Sequence, residues 1–415
     1  MWLLPAEDGV FFEGSYSPPP MTAGEARAAV HAVWDSITPE QLHARGGMKW
    51  TYFPVPLGAW VAESDLGTAT EVTDAVQTAM SEGMTGYLPP AVSADMSRAT
   101  ADWMRDRYGW EVPAESIHPI ADVITGLDLA IDHFSRPGSA VVVPTPAYMP
   151  FLQVPGRHGR AVIEVPNALR EDGRETLDLA GIEAALAEGA GLVVLCNPLN
   201  PGGRVFERAE LEALSEVVAR HDARVFADEV HAPLVFAPHR HIPYASVSAA
   251  SAHHSVTATS ASKAFNLPGL KAAQFITHSA ADEAVWQTIG PLASHGASTL
   301  GVIANTAAYR WGAPWLEAQL EYLDRNRRLL ASLLASHLPE VRYRMPEGTY
   351  IAWLDVSALE LGDDPALSLR ERAGVALTDG RACGAAGVGH VRMILATPAP
   401  VLERIVLAIR DAVRG

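Results

Sequence analysis

Cysteine is nearly absent: Cys196 and Cys383 are the only two in 415 residues. They lie far apart and lack metal-type spacing, which argues against a disulfide framework or a thiolate metal site and fits a reducing cytoplasm. Positive charge is also short, with 31 Lys+Arg against 48 Asp+Glu and a net charge of −17. Such a surface repels a phosphate backbone, and with no basic run anywhere the chain reads as no nucleic-acid binder. No apolar stretch reaches the ~18 residues that a membrane-spanning helix needs. The start, Met1 to Asp8, has neither a basic segment nor an apolar one, so a secretory signal is not expected.

What is present suits a globular soluble protein. Hydrophobic residues make up 48% and charged residues 19%, with a mean hydropathy of +0.08. The length allows two or three domains. Near the N-terminus, Gly14–Pro20 reads as a loop and Ala23–Ile37 as a short helix, an arm over residues 1–45 with no chemistry of its own.

From about Thr70 to Leu300 short apolar runs alternate with helical periodicity. The runs are Ala140–Val143, Gly191–Leu195, Ala223–Ala227 and Ser255–Thr259; helix candidates between them are Leu127–Phe134, Asp178–Glu188 and Arg208–His221. Buried strands separated by helices predict an α/β fold with a mostly parallel sheet covered on both faces. After Ala313 the pattern changes to a long helix, Pro314–His337, strands at Tyr350–Leu354 and Val391–Leu395, and a final helix Pro400–Val413. The implied division is a large domain over 76–313 and a smaller α+β domain made of 46–75 and 314–415.

Polar and aromatic residues follow the apolar runs: Tyr148, Asn197 and Asn200, Asp228 and His231, Lys263. In open α/β sheets ligands bind outside the carboxyl ends of the strands, so these residues converge on one edge. Lys263, within Ser260–Asn266, is the most informative. A buried ammonium costs several kcal/mol, whereas a desolvated lysine has a lowered pKa and can attack a carbonyl to form an imine. Neighbouring hydroxyls suit a phosphate. Together they suggest a Schiff-base lysine for pyridoxal phosphate (PLP), although an isolated S-x-S-K reads more simply as a surface lysine at a strand end; the constellations below change that balance.

The supporting constellations each have a structural alternative. Asp228 suits a cofactor's pyridine nitrogen and equally a helix N-cap; His231, three residues on, suits its phenolic oxygen. Asn197–Arg204 is turn-like in composition, yet Asn200 beside Pro201 is a stiffly held amide. Gly126 and Leu127 open a helix whose N–H groups would hold a phosphate. Tyr148 is placed to stack on a planar ring or to serve as an ordinary packed tyrosine. The histidines 239, 241, 253 and 254 have no metal-ligand spacing and read as loop residues.

With Lys263, Asp228, Asn200, Gly126 and Tyr148 in these contexts, the chain resembles the fold-type I PLP enzymes, the aspartate aminotransferase superfamily. More narrowly it resembles the MalY/PatB-type C–S lyases, through Lys49-Trp50, Trp60–Asp65, Thr85–Pro90, Cys196–Gly203, Asp228–His231, Ser260–Asn266, Gly348–Tyr350 and Val391–Met393. The resemblance runs from about Arg45 to the C-terminus. It implies an aspartate aminotransferase-like fold whose large domain carries a mostly parallel seven-stranded sheet. It implies that Lys263 binds PLP covalently and shuttles the proton, that Asp228 pairs with the pyridine nitrogen, and that Asn200 and His231 contact the phenolic oxygen. Tyr148 would stack on the ring, while Gly126, Leu127, Ser260 and Ser262 hold the phosphate. Arg392 and Ala62 would bind the amino-acid substrate, Arg392 gripping the α-carboxylate bidentately. Tyr87 would reach the phosphate of a second subunit, making a homodimer with shared sites. Where many relatives carry arginine on the phosphate, this chain has Lys271, a charge without a planar fork. The activity implied is β-elimination from L-cystathionine or a cysteine S-conjugate, with transamination or a non-catalytic regulatory role as the competing readings.

Overall fold

The structure is a computed structural model that describes residues 23–415. The loop expected at Gly14–Pro20 and the first half of the arm lie outside the described residues.

Seven strands form the central sheet: β1 (Ile117–Ile120), β2 (Val141–Thr145), β3 (Val162–Pro166), β4 (Leu192–Cys196), β5 (Arg224–Asp228), β6 (Ser255–Thr259) and β7 (Ala273–Ile276). Their order is β1-β7-β6-β5-β4-β2-β3. All run parallel except β7, which pairs antiparallel with both β1 and β6. The four apolar runs read from the sequence become the central strands β2, β4, β5 and β6. Strands β2, β4 and β6 are buried at every position, which is why they show no polar alternation. The other three strands carry polar or proline residues that hide them. Gln274 interrupts β7 yet is fully buried, its amide donating to Asn305 Oδ1 at 3.3 Å. Pro166 ends β3, which lies at the sheet edge where a missing N–H is harmless.

Helices cover the sheet. Leu179–Ala187 is capped by the Asp178 side chain, and Arg208–Arg220 packs beside it. The helix expected from Leu127 in fact begins at Val123, because Asp122 caps it: its Oδ1 accepts the Thr125 N–H at 2.8 Å. This shift matters at the site.

A second sheet, all antiparallel, has the order β8-β9-β11-β10 with β8 (Arg342–Tyr343), β9 (Ile351–Asp355), β10 (Thr378–Asp379) and β11 (His390–Ile394). The long helix Ala313–His337 packs against the C-terminal helix Ala399–Arg414. Onto the long helix docks Ala23–Asp35: Trp34 is buried against Tyr322, and His31 Nε2 lies 2.8 Å from the Ala318 carbonyl. Among the described residues no helix is long and apolar enough to cross a membrane.

Candidate active site

The ends of five parallel strands and one face of the second sheet enclose a cavity of about 460 Å³. From the large sheet come Asp122 and Val123 after β1, Tyr148 after β2, Asn200 after β4, Asp228 and His231 at and after β5, and Ser262 and Lys263 after β6. From the other side come Trp60, Ala62, Thr378 and Arg392. Residues more than 300 positions apart thus share one space.

Lys263 Nζ donates to the Ala62 carbonyl at 3.1 Å and makes no carboxylate ion pair among the described residues. Burial and the charge of Arg392 push its pKa down to about 8, against a partial pull from Asp228. Such an amine is readily available in its neutral form. Asp228 is buried and accepts one bond, from the Val230 N–H to Oδ1 at 3.0 Å. No α-helix follows it, so it is not an N-cap. Burial pushes its carboxyl up to about 7, outweighing the Val230 N–H and the charge of Lys263, so the group is poised to take up a close cationic partner.

His231 is buried edge-on to Tyr350, and its Nδ1 has no hydrogen-bond partner among the described residues. Burial first, then the charges of Lys263 and Arg392, hold its pKa down at about 3, so the imidazole is neutral. Arg392, on β11, donates from Nη1 to Asn200 Oδ1 at 3.2 Å and from Nη2 to the Trp60 carbonyl at 3.1 Å. With Asn200 Oδ1 accepting from Arg392, the amide NH₂ remains as that side chain's donor, and Asn200 lines the cavity. The Arg392 Nε is buried and has no hydrogen-bond partner among the described residues. Tyr148 lines the cavity with its hydroxyl pKa raised by burial.

The phosphate end departs from the sequence reading. Gly126 and Leu127 lie behind the cavity wall. The Gly126 N–H is already spent on the Asp122 carbonyl at 3.2 Å, and Leu127 is wholly buried in the core. The first-turn amides without an intrahelical acceptor are those of Val123 and Ile124, and both residues line the cavity. Gly126 is instead a packing residue, since a Cβ there would lie 3.0 Å from Ala258 Cβ and 3.2 Å from Ile120 Cδ1. Ser260 also faces inward, its hydroxyl donating to the Ala272 carbonyl at 2.7 Å, whereas Ser262 lines the cavity. Lys271 lines the cavity too and pairs with Asp122 Oδ2 at 2.9 Å. Tyr87 lies outside it, 85% exposed, with its ring beside His295.

The aminotransferase class I and II family model matches residues 60–409. The chain belongs to that family. It is 39% identical over 346 residues to a cystathionine β-lyase of Corynebacterium glutamicum, covering 83% of this chain and 91% of the relative. It is 34% identical to the cystathionine β-lyase PatB of Bacillus subtilis, covering 85% and 92% respectively. The PLP-bound C–S lyase from Staphylococcus hominis superposes with a TM-score of 0.84 at 26% identity, over 92% of this chain and 98% of that one.

The donor set fits the cofactor that members of this aminotransferase family bind. Among the described residues the buried Asp228 carboxyl makes no ion pair and His231 Nδ1 no hydrogen bond, and the helix start offers two free amides beside a serine hydroxyl and a lysine. Several residues that the sequence reading quoted only as motif positions, with no role, shape the site. Lys49 and Asp65 form a buried ion pair at 2.7 Å, and Trp50 Nε1 donates to the second Asp65 oxygen at 2.8 Å. Lys49 also reaches the Ala396 carbonyl at 3.2 Å, and Asn266 exchanges two 2.9 Å bonds with the Ser64 backbone. The Lys-Trp element therefore clamps the segment that carries Ala62. Phe53, Leu367, Arg370 and Leu377, which line the cavity from the second-sheet side, carry no local motif. Two of the four clustered histidines are used internally, His241 bonding Glu229 and His254 bonding Tyr244, while His253 is exposed.

Proposed function

We propose that this protein is a PLP-dependent C–S β-lyase that cleaves L-cystathionine or another cysteine S-conjugate to a thiol, pyruvate and ammonia. The observation that carries the reading is the meeting, in one cavity, of a low-pKa Lys263 amine, the buried Asp228 carboxyl and the Arg392 guanidinium. The chain around them is 39% identical to a cystathionine β-lyase.

Bound PLP supplies a carbonyl carbon for the substrate amine and a ring that accepts the electron pair released at the substrate's Cα. The protein's own groups do the rest. Lys263 holds the cofactor until substrate arrives, and its freed neutral amine takes the α-proton at Nζ. Asp228 keeps a proton at the pyridine nitrogen. Asn200, through its NH₂, and His231 hold the phenolic oxygen, and Tyr148 covers the ring. Val123, Ile124, Ser262 and Lys271 hold the phosphate. Arg392, kept level by Asn200 and the Trp60 carbonyl, binds the α-carboxylate, with Ala62 beside it. Loss of the β-thiolate leaves an enamine that hydrolyses to pyruvate and ammonia.

The same reading makes the enzyme a homodimer, with Tyr87 reaching a second copy's phosphate; its exposure outside its own cavity supports this. It also assigns 76–313 to a large PLP-binding domain, 46–75 with 314–415 to a small domain, and 1–45 to an arm. The parallel pairing of Leu57–Gly58 with Val375–Ala376 favours that grouping. Two buried free cysteines suit a cytoplasmic enzyme.

Incubation with L-cystathionine tests the proposal: pyruvate and homocysteine should appear in equal amounts, and borohydride should fix PLP to wild type but not to Lys263→Ala. A keto acid retaining the sulfur, formed with an aminated cofactor, would make it an aminotransferase instead.

A further inference from the structure

One cation lining the cavity has no polar partner. Lys263 is held by Ala62, Lys271 by Asp122, and Arg392 by Asn200 and the Trp60 carbonyl. Arg370, on the helix Pro365–Ala373, makes no hydrogen bond or ion pair among the described residues; its guanidinium lies 4.5 Å from the centre of the Phe53 ring. The nearby carboxylates that line the same side are engaged elsewhere. Asp364 accepts the Leu367 N–H at 2.8 Å and Arg381 at 2.9 Å, and Asp379 accepts Arg381 Nε at 2.7 Å. A ring face orients a guanidinium while leaving its in-plane N–H donors free.

The position of Arg370 relative to Arg392 gives those donors a use. Arg392 bonds the Trp60 carbonyl, the Trp60 ring lies 5.1 Å from Phe53, and Phe53 lies under Arg370. Both guanidinium groups thus line one cavity and are linked through Trp60 and Phe53, with Leu367 and Leu377 adding apolar lining. An apolar thioether with a carboxylate at each end matches this lining: two cations, and an apolar surface with no hydrogen-bonding demand.

We propose that Arg370 is a specificity-determining residue that binds a carboxylate on the thiol half of the substrate, so the preferred substrates are cysteine S-conjugates carrying a distal carboxylate. This rests on the lyase reading and on Arg392 as the α-carboxylate site. Conjugates with an aliphatic thiol half are cleaved by the same chemistry but gain nothing from Arg370. The distal carboxylate is not at the reacting bond, so its contribution falls on KM rather than kcat.

The test compares pyruvate release by PLP-loaded wild type, Arg370→Gln and Arg370→Lys from three conjugates: L-cystathionine, S-(2-carboxyethyl)-L-cysteine and S-propyl-L-cysteine. Arg370→Gln should lower kcat/KM at least about tenfold for the two carboxylate conjugates, chiefly through KM, as expected for losing one charge-assisted pair. S-propyl-L-cysteine should stay within about twofold, and Arg370→Lys should recover part of the loss. Equal losses on all three substrates would mean that Arg370 only supports the aromatic lining. Unchanged kcat/KM on the carboxylate conjugates would place the distal carboxylate elsewhere. Either result overturns the assignment. Failure of wild type to release pyruvate from any of the three would instead refute the lyase reading itself.

Discussion

The Lys263 amine donates to the Ala62 carbonyl across 201 positions of sequence, and the Tyr350 hydroxyl donates to the same oxygen at 3.0 Å. A backbone oxygen is a weak anchor for an ammonium. It aims the amine into the cavity without the deep stabilisation of an ion pair, which would hold the proton and block nucleophilic attack. The position of that oxygen depends in turn on the buried clamp at Lys49 and Asp65, three residues further along.

The clamp should be costly to break from one side. Asp65→Ala leaves the Lys49 ammonium buried with only backbone carbonyls, at a cost of about 3–5 kcal/mol, typical of a halved buried pair. Urea unfolding of Asp65→Ala against wild type measures it. Adding Lys49→Met should restore most of the loss, because the uncompensated charge is then gone. A cost below 1 kcal/mol for Asp65→Ala would show that water reaches the pair.

Asp228 should trade stability for function. Its carboxyl titrates near 3.8 when unfolded and about 7 in the cofactor-free fold. The folded state therefore holds the extra proton between these values, and stability falls as pH rises through that window, with the full penalty present above pH 7. Asp228→Asn removes the penalty. The cofactor-free variant should match wild type near pH 4 and exceed it by a few kcal/mol at pH 8, on the scale of about 1.4 kcal/mol per pKa unit. Turnover should fall by several orders of magnitude, since the ring nitrogen loses its carboxylate. Denaturant titrations at the two pH values check the first half; a variant no more stable at pH 8 contradicts it.

Gly126→Ala probes the packing of that glycine. The new methyl meets Ala258, Ile120 and Phe226 at 3.0–3.3 Å, all buried. Overpacking of this kind costs about 1–3 kcal/mol, and relief requires the helix to lift from the sheet, carrying Val123 and Ile124 with it. Stability and PLP affinity should decline together. Lost affinity at unchanged stability would return Gly126 to direct phosphate contact.

Arg392→Lys keeps the charge but cannot hold Asn200 and the Trp60 carbonyl while offering two parallel N–H groups. A fall in kcat/KM of about tenfold to a thousandfold is expected, or roughly 1.5–4 kcal/mol. For an analogue without an α-carboxylate the loss should shrink greatly. Steady-state kinetics on both compounds settles it, and equal losses would make Arg392 a structural residue.

Much of this was legible in the linear chain because it is local. Runs such as Leu192–Cys196 and Ser255–Thr259 are apolar at every position because both faces of a parallel sheet are covered. The strand ends then bring Tyr148, Asn200, Asp228 and Lys263 together by topology alone. Only the tertiary structure decided which atoms face the cavity. Whether Gly126 or Val123 offers a free N–H depends on where Asp122 starts the helix, and whether Ser260 or Ser262 faces the cavity depends on an acceptor at Ala272. Lys271 meets Asp122 across 149 positions, and Arg370 lies over Phe53. Periodicity reports which face of an element is buried; the partner of a particular donor is set by three-dimensional proximity, which no local pattern encodes.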